Sequence, residues 1–346
     1  MRFENVFIDA FGYQLPAQVV TSEELEQRLA PVYERLHLQP GQLEALTGIC
    51  ERRFWPRDFK LSEGAIAAGK KALGQSAVAP GDIGMLIYGG VCRENLEPAT
   101  ACAVAHGLGI GPRAQVYDVS NACLGVLNGM LQVAGAIELG QIRAGLVVSC
   151  ESARQIVELT IRRLLESPDM ESVKYTLATL TGGSGAVAVV LCHRSVSGSG
   201  HRLPGAVART APQHHRLCIW GPDTGIPASM PHVMRTDSVG VLKNGVALGM
   251  ETFRDFRQEM GWDQDHPQKV VCHQVGATHQ RTILDSIGLS PDRDFTTFRY
   301  LGNIGTVSLP ITAAIAHERG FLRAGDTVGF LGIGSGLNCM MLGVEW

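Results

Sequence analysis

Residues 118–129 read DVSNACLGVLNG, where the apolar run QVYDVS stops and a helical pattern begins. Cys123 therefore falls at a strand-to-helix turn. With a helix starting near Asn121 or Cys123, unpaired backbone amides and the helix dipole favour thiolate and lower the thiol pKa. A sharp turn of this kind also exposes the side chain, as a nucleophile elbow does. The competing reading is packing, because free cysteine is among the most buried residue types. Taken alone, the dodecapeptide leaves both readings open.

Position separates Cys123 from the eight other cysteines. Cys50, Cys92 and Cys218 fall in expected loops, Cys150, Cys192, Cys272 and Cys339 in apolar strands, and Cys102 on a small-residue helix face. Nine is an odd count and no CxxC pair occurs, so neither a disulfide framework nor a zinc ribbon is indicated. No metal cluster is expected, and most of the thiols are expected reduced and buried.

Composition bounds the rest. The 346 residues are 45% hydrophobic and 18% charged, enough apolar material for a large core. A net charge of -3 gives no basic excess, which argues against a nucleic-acid partner and a polybasic membrane surface. The opening MRFENVFIDAFGYQLP lacks a basic, apolar and small-residue leader pattern, and no apolar run is long enough to span a bilayer. The expectation is a soluble, cytoplasmic protein without an integral membrane segment.

Working outward from Cys123, short β-rich runs alternate with helical ones. NVFIDAFGY, GMLIYGG, QVYDVS, AGLVVSC and GAVAVVLC precede residue 195; KVVCHQ, FTTFRYLG, DTVGFLGIG and CMMLGVEW follow it. This alternation predicts α/β layering with buried strands. TSEELEQRL offers a capping box from Thr21 to Glu24, and LSEGAIAAGKKAL, NACLGVLNGMLQVAGAIELG and TVSLPITAAIAHERG carry helical patterns. The Gly-, Pro-, Ser- and His-rich stretch 195–235 predicts the crossing between two halves, 1–195 and 196–346.

A thiolate nucleophile needs oxyanion donors and usually an imidazole within reach. VVCHQVGATH puts His273 directly after an apolar strand, where a side chain can emerge. His214 and His215 lie in the crossing stretch, and His279 and His317 in helices. RYLGNIGTVSLP places Asn303 in a glycine-flanked turn, where asparagine is commonly just a turn residue. LGIGSGLN, 331–338, is a glycine-rich link between two strands that either brings amides to a substrate or forms a tight hairpin. It lacks the strand-turn-helix context of a dinucleotide site.

Together, Cys123 in NACLG, His273 in HQ, Asn303 in GNIG and the terminal GIGSGLN resemble the β-ketoacyl-ACP synthase III branch of the thiolase superfamily. LPAQVVTSEEL, TGICERR and TGGSGAVAVVL extend the likeness over nearly the whole chain. ENLEPATA, NACLGVLNGM, GNIGTVSLP and LGIGSGLNC are most similar to the acyl-CoA condensing enzymes of bacterial olefin biosynthesis. The resemblance implies a thiolase fold, a duplicated five-layer αβαβα sandwich, with the nucleophilic cysteine in the first half and His and Asn in the second.

It also implies roles. Cys123 would take an acyl group from acyl-CoA or acyl-carrier protein, the amides of Cys123 and Ser335 would form an oxyanion hole, and His273 and Asn303 would stabilise an enolate. Glu97, in the LEP segment, would act as base in the neighbouring subunit of a homodimer. Read without the family, Glu97 before Pro98 is an ordinary surface carboxylate at a helix start. No cofactor beyond the coenzyme A thioester is implied. The sequence departs from the initiating synthase of fatty-acid synthesis at Gly276, where an asparagine is expected, and at Gln42 and Leu46, where a Trp and an Arg flank the coenzyme A adenine. Rival readings are a decarboxylating β-ketoacyl-ACP synthase III or starter-unit acyltransferase, a cysteine hydrolase such as a thioesterase, and a non-catalytic acyl-binding subunit.

Overall fold

The computed structural model describes residues 1–221 and 234–346. Nine strands pair into a continuous sheet in the order Lys269–Cys272, Thr327–Gly334, Asn338–Glu345, His201–Thr210, Val6–Gln14, Gly185–His193, Ala144–Glu151, Met85–Gly89 and Gln115–Val119. Met85–Gly89 runs parallel to both its neighbours, and Ala144–Glu151, Gly185–His193 and Val6–Gln14 then follow antiparallel. The later strands repeat this: Lys269–Cys272 is parallel to Thr327–Gly334, which continues antiparallel through Asn338–Glu345 to His201–Thr210. A single parallel bridge, Val270 to Asp294, stands where the earlier set has Gln115–Val119. The two sets join through Phe7 opposite Arg202 and Ile8 opposite His201.

Side-chain alternation along the strands sorts the core into layers. Ile87, Val147 and Val189 point inward with Val328, Phe330 and Leu342, and between them lie helices Gly125–Glu138 and Ser308–Glu318. Leu86, Val148 and Val190 point the other way, onto helices Leu61–Gln75 and Thr100–Leu108 through Ala65, Ala68, Ala72 and Val104. Val270, Leu331 and Met341 meet Leu248, Phe256 and Leu284 of helices Ser238–Met260 and Ala277–Ile287. The result is helix, sheet, helix, sheet, helix, the five-layer thiolase arrangement. Strands covered on both faces are apolar throughout, which is why they read as runs rather than as alternating patterns. Each buried Val126, Met130, Val133 and Ile137 contributes about 1.5–3 kcal/mol of transfer free energy to the central layer.

The Thr21–Glu24 capping box forms reciprocally, with the Glu24 amide donating to Thr21 Oγ1 at 3.0 Å and the Thr21 amide to Glu24 Oε2 at 2.6 Å. Other expectations need correcting. FTTFRYLG is not a strand but contains the helical turn Phe298–Leu301; the parallel pairing there ends at Asp294. The expected crossing stretch contains a ten-residue strand, His201–Thr210, because Leu203, Gly205 and Ala206 pack into the sheet despite the surrounding Pro and Gly. Cys218 opens a short strand, Cys218–Trp220, paired with Met234–Thr236. Residues 222–233 of that stretch lie outside the described residues. All nine cysteines are free thiols, but four of them, Cys150, Cys192, Cys272 and Cys339, are buried, so most are not. Among the described residues no helix is long and apolar enough to cross a membrane.

Candidate active site

The strand Gln115–Val119 ends one residue before the turn that carries Cys123. Ala122 sits at φ 44, a left-handed conformation rare for a residue with a Cβ, and the chain reverses sharply there. The helix begins later than expected, at Gly125 with Leu124 as its cap, so Cys123 precedes the helix by two residues. This corrects the expected electrostatics as well. Burial pushes the Cys123 thiol up to about 12, and the neighbouring Cys218 and Glu151 charges add to that, outweighing the thiol's own backbone amide. At rest Cys123 is a thiol, not a thiolate.

The glycine-rich link 331–338 is a hairpin between Thr327–Gly334 and Asn338–Glu345, and it folds against the cysteine turn. A methyl built on Gly334 would stand 3.4 Å from the Cys123 amide nitrogen. Asn338 Nδ2 donates to Asn121 Oδ1 at 3.0 Å and to the Ser335 carbonyl at 3.4 Å, tying the Ser335 turn to the cysteine turn. Ser335 and Cys123 thus belong to two backbone turns braced on one another.

His273 follows Lys269–Cys272 as its side chain clears the sheet, and its amide donates to the Leu331 carbonyl at 2.9 Å, on the strand that leads to Gly334. Burial lowers its pKa to about 4, with nearby His279 acting in the same direction, so the imidazole is neutral at physiological pH. Its Nδ1 is buried with no hydrogen-bond partner among the described residues. Gly276 explains the departure from His-Gln-Ala-Asn. It adopts φ +152, and a Cβ there would stand 2.8 Å from the Thr47 carbonyl oxygen, so an asparagine does not fit.

Asn303 is held by its backbone on both sides: its amide donates to Thr181 and its carbonyl accepts from Gly183, each at 2.9 Å. The Gly305 amide donates to Asn303 Oδ1 at 3.1 Å, which leaves the carboxamide NH2 as the outward donor. Three residues on, Thr306 Oγ1 accepts the amide of Val126 at 2.7 Å. Asn303 and Cys123 are therefore clamped to one another, each through the residue three positions later.

Glu97 is placed elsewhere. It is exposed, at the tip of the loop 90–99 rather than at a helix start, since the helix begins at Thr100. That loop is pinned at three points. Glu151 accepts the Val91 and Cys92 amides, Glu94 Oε1 accepts the Ser62 amide and hydroxyl at 2.8 and 2.6 Å, and Asp118 accepts the Thr100 and Ala101 amides at 2.9 Å each. The segment Asn95–Pro98 is left projecting from the surface. Glu151 itself was missed by sequence reasoning. Its only signal is a carboxylate ending an otherwise apolar strand, AGLVVSCE. Gln42 and exposed Leu46 lie on the short helix Gln42–Thr47, without the aromatic and guanidinium pair of the initiating synthase. Among the described residues no group of three His, Cys, Asp or Glu side chains is placed to hold a metal ion.

Fold and site together define a thiolase-type condensing enzyme, and comparisons with known proteins agree. Residues 47–184 match the thiolase N-terminal domain, and residues 258–346 the C-terminal domain of 3-oxoacyl-[acyl-carrier-protein] synthase III. The chain is 51% identical to the acyl-CoA:acyl-CoA alkyltransferase of Shewanella oneidensis and 37% identical to that of Xanthomonas campestris, covering all of this chain and of each relative. The structure of a cysteine-to-alanine variant of Xanthomonas campestris OleA superposes with a TM-score of 0.94 at 35% identity, covering 100% of this chain and 98% of that one. A cysteine-to-serine variant with bound lauric acid and lauroyl-CoA superposes with a TM-score of 0.92 at 36% identity, covering 99% of this chain and 100% of that one. The chain belongs to the acyl-CoA:acyl-CoA alkyltransferase family of thiolase-fold acyltransferases.

Proposed function

We propose that the protein joins two acyl-CoA thioesters by a Claisen condensation through an acyl-Cys123 intermediate, without decarboxylation, giving a β-keto acid. The observation that carries this reading is the convergence of the Cys123 turn, the Ser335 hairpin and the Asn303 turn, clamped by the Gly334 contact and the Val126–Thr306 hydrogen bond. Cys123 attacks the first thioester and expels coenzyme A; its proton is relayed by the neutral His273 imidazole to the departing coenzyme A thiolate, so no charge stays on the ring. The amides of Cys123 and Ser335 receive the oxyanion. The second acyl-CoA then binds with its carbonyl oxygen toward His273 and the NH2 of Asn303, which stabilise the enolate as its Cα proton leaves. The enolate carbon attacks the acyl-Cys123 carbonyl and displaces the Cys123 thiolate, which regains its proton, and water hydrolyses the resulting β-ketoacyl-CoA to the β-keto acid and free coenzyme A.

Glu97 removes that proton. Its exposure at a rigidly pinned loop tip suits a base that works in the pocket of a second copy, so the active form is a homodimer. Solved variants of Xanthomonas campestris OleA replace a Cys, a Glu and a His, the same three residue types. The acyl donor is a coenzyme A thioester rather than an acyl-carrier protein, and no further cofactor takes part. The setting is lipid metabolism in the cytoplasm, where coenzyme A thioesters are made, and the catalytic residues are divided between the halves 1–195 and 196–346.

Mass spectrometry after incubation with lauroyl-CoA tests the scheme: one acyl adduct on Cys123, absent in Cys123→Ala. Glu97→Ala retains the adduct and loses the condensed product. A Glu97→Ala variant that condenses normally would remove the base from the mechanism, and free fatty acid as the sole wild-type product would make the protein a thioesterase.

A further inference from the structure

Glu151 is a buried carboxylate that the scheme above leaves without a role. It ends the strand Ala144–Glu151, where its backbone carbonyl accepts Trp55 Nε1 at 3.1 Å. Oε1 accepts the Val91 amide at 2.9 Å and Oε2 the Cys92 amide at 3.2 Å. A methyl built on Gly90 would stand 3.2 Å from Oε1, and one built on Gly305 3.5 Å from the carboxyl carbon. The carboxyl group therefore lies between two catalytic supports, the stem of the loop that ends in Glu97 and the turn that presents Asn303.

Enclosing a carboxylate is costly unless fixed donors compensate it, and a carboxamide of the same shape could satisfy only one of two converging N–H donors. Burial raises the Glu151 pKa, and the Cys92 thiol and the Val91 and Cys92 amides offset only part of that. The other two anchors of the loop, Glu94 and Asp118, bind helix N-termini on the outer layer. Glu151 alone among the three anchors also faces the reaction site of its own chain, next to Gly305 and within the electrostatic reach of Cys123.

We propose that Glu151 is a positioning residue whose carboxylate fixes the stem of the loop 90–98, so that Glu97 is held out at the right place for the pocket of the neighbouring subunit. This rests on the reading that Glu97 acts across a dimer interface. Its effect then appears in the partner's pocket and not in the pocket beside it. A merely structural role, or an action on Asn303 or Cys123 of the same chain, makes the opposite assignment.

Mixed dimers separate these. Two variants carrying different affinity tags are co-expressed, the mixed dimer is isolated through both tags, and condensation of lauroyl-CoA is measured. The Glu151→Gln homodimer forms the acyl adduct on Cys123 but condenses about a hundredfold more slowly, the size of loss expected from a reacting group displaced by about 1 Å. A mixed dimer of Glu151→Gln with Cys123→Ala regains about half the wild-type rate, because its one working pocket holds an intact thiol and receives a well-placed Glu97. Cys123→Ala mixed with Glu97→Ala behaves the same way and serves as the control. If the control regains activity and the Glu151→Gln mixture does not, Glu151 acts within its own pocket and the proposal fails. If the control itself stays inactive, Glu97 does not act across an interface and the proposal loses its basis. Where Glu151→Gln does not assemble, Glu151→Asp, which keeps the charge on a shorter arm, replaces it with the same expected complementation.

Discussion

The amide of Val126, three residues beyond Cys123, donates to the hydroxyl of Thr306, three residues beyond Asn303, at 2.7 Å. Their separation in sequence is 180 residues. The bond closes the central helix layer at the point where the Cys123 turn and the Asn303 turn meet.

Replacing Thr306 by Val keeps the side-chain shape and removes the acceptor, leaving a buried N–H without a partner. The expected cost is about 1–3 kcal/mol, read as a lower denaturant midpoint at unchanged slope. Condensation slows as well, since the two turns lose their common brace. An unchanged midpoint would show that water or a neighbouring group takes over the N–H.

The raised pKa of Cys123 sets its reactivity in the free enzyme. With the thiol at about 12, alkylation by iodoacetamide should be slow near neutrality and accelerate about tenfold per pH unit from about pH 7 to pH 9.5. The sign follows from an acid whose neutral form is favoured by burial: raising the pH supplies thiolate throughout this range. A plateau reached by about pH 8 would mean that the turn lowers the pKa after all.

Asp294 gives a stability test. Its Oδ1 accepts the Cys272 amide at 3.1 Å and its Oδ2 accepts Gln280 Nε2 at 2.8 Å, yet burial pushes its pKa from 3.8 to about 7. A folded carboxyl that stays protonated where the unfolded one ionises contributes stability that is complete below about pH 4 and is lost as the pH rises through 7. Asp294→Asn removes that loss, because an amide oxygen still accepts from Cys272 and Gln280 can turn its carbonyl toward the new NH2. The stability difference between variant and wild type should move in favour of the variant between about pH 4 and pH 7.5, where His273 and His201 titrate alike in both and cancel. A difference independent of pH contradicts the assignment.

Gly125 opens the helix behind Cys123 and packs on the end of the strand Met85–Gly89. A methyl there would stand 2.9 Å from the Gly89 carbonyl carbon and 3.1 Å from the Gly90 nitrogen. Both obstacles are backbone, so Gly125→Ala must shift either the helix or the stem of the Glu97 loop. A loss of about 1–3 kcal/mol is expected, with slower acylation of Cys123, measured by thermal unfolding and adduct formation. Wild-type values for both would show that the contact relaxes freely.

What could be read from residues in order is what neighbours in sequence decide. The Thr21–Glu24 box, the apolar strands, the helical patterns after Leu61, Cys123 and Val307, and the emergence of His273 from a strand end follow from capping and periodicity, which act within one or two turns. A joint role for Cys123, His273 and Asn303 was suggested only by the resemblance of the four motifs to a known family. Tertiary structure decided the rest. The helix starts at Gly125 because the Cys123 turn is braced by Asn338 and Gly334 from the far end of the chain, and the ten residues from His201 become a strand because the sheet receives them. Protonation was decided there too. A helix terminus acts locally and argued for a thiolate, but burial by distant segments outweighs it and leaves both Cys123 and His273 neutral. Glu151 carried only the faint mark of a carboxylate ending an apolar strand: its position between two loops exists only once residues 90 and 305 are folded against the same strand end.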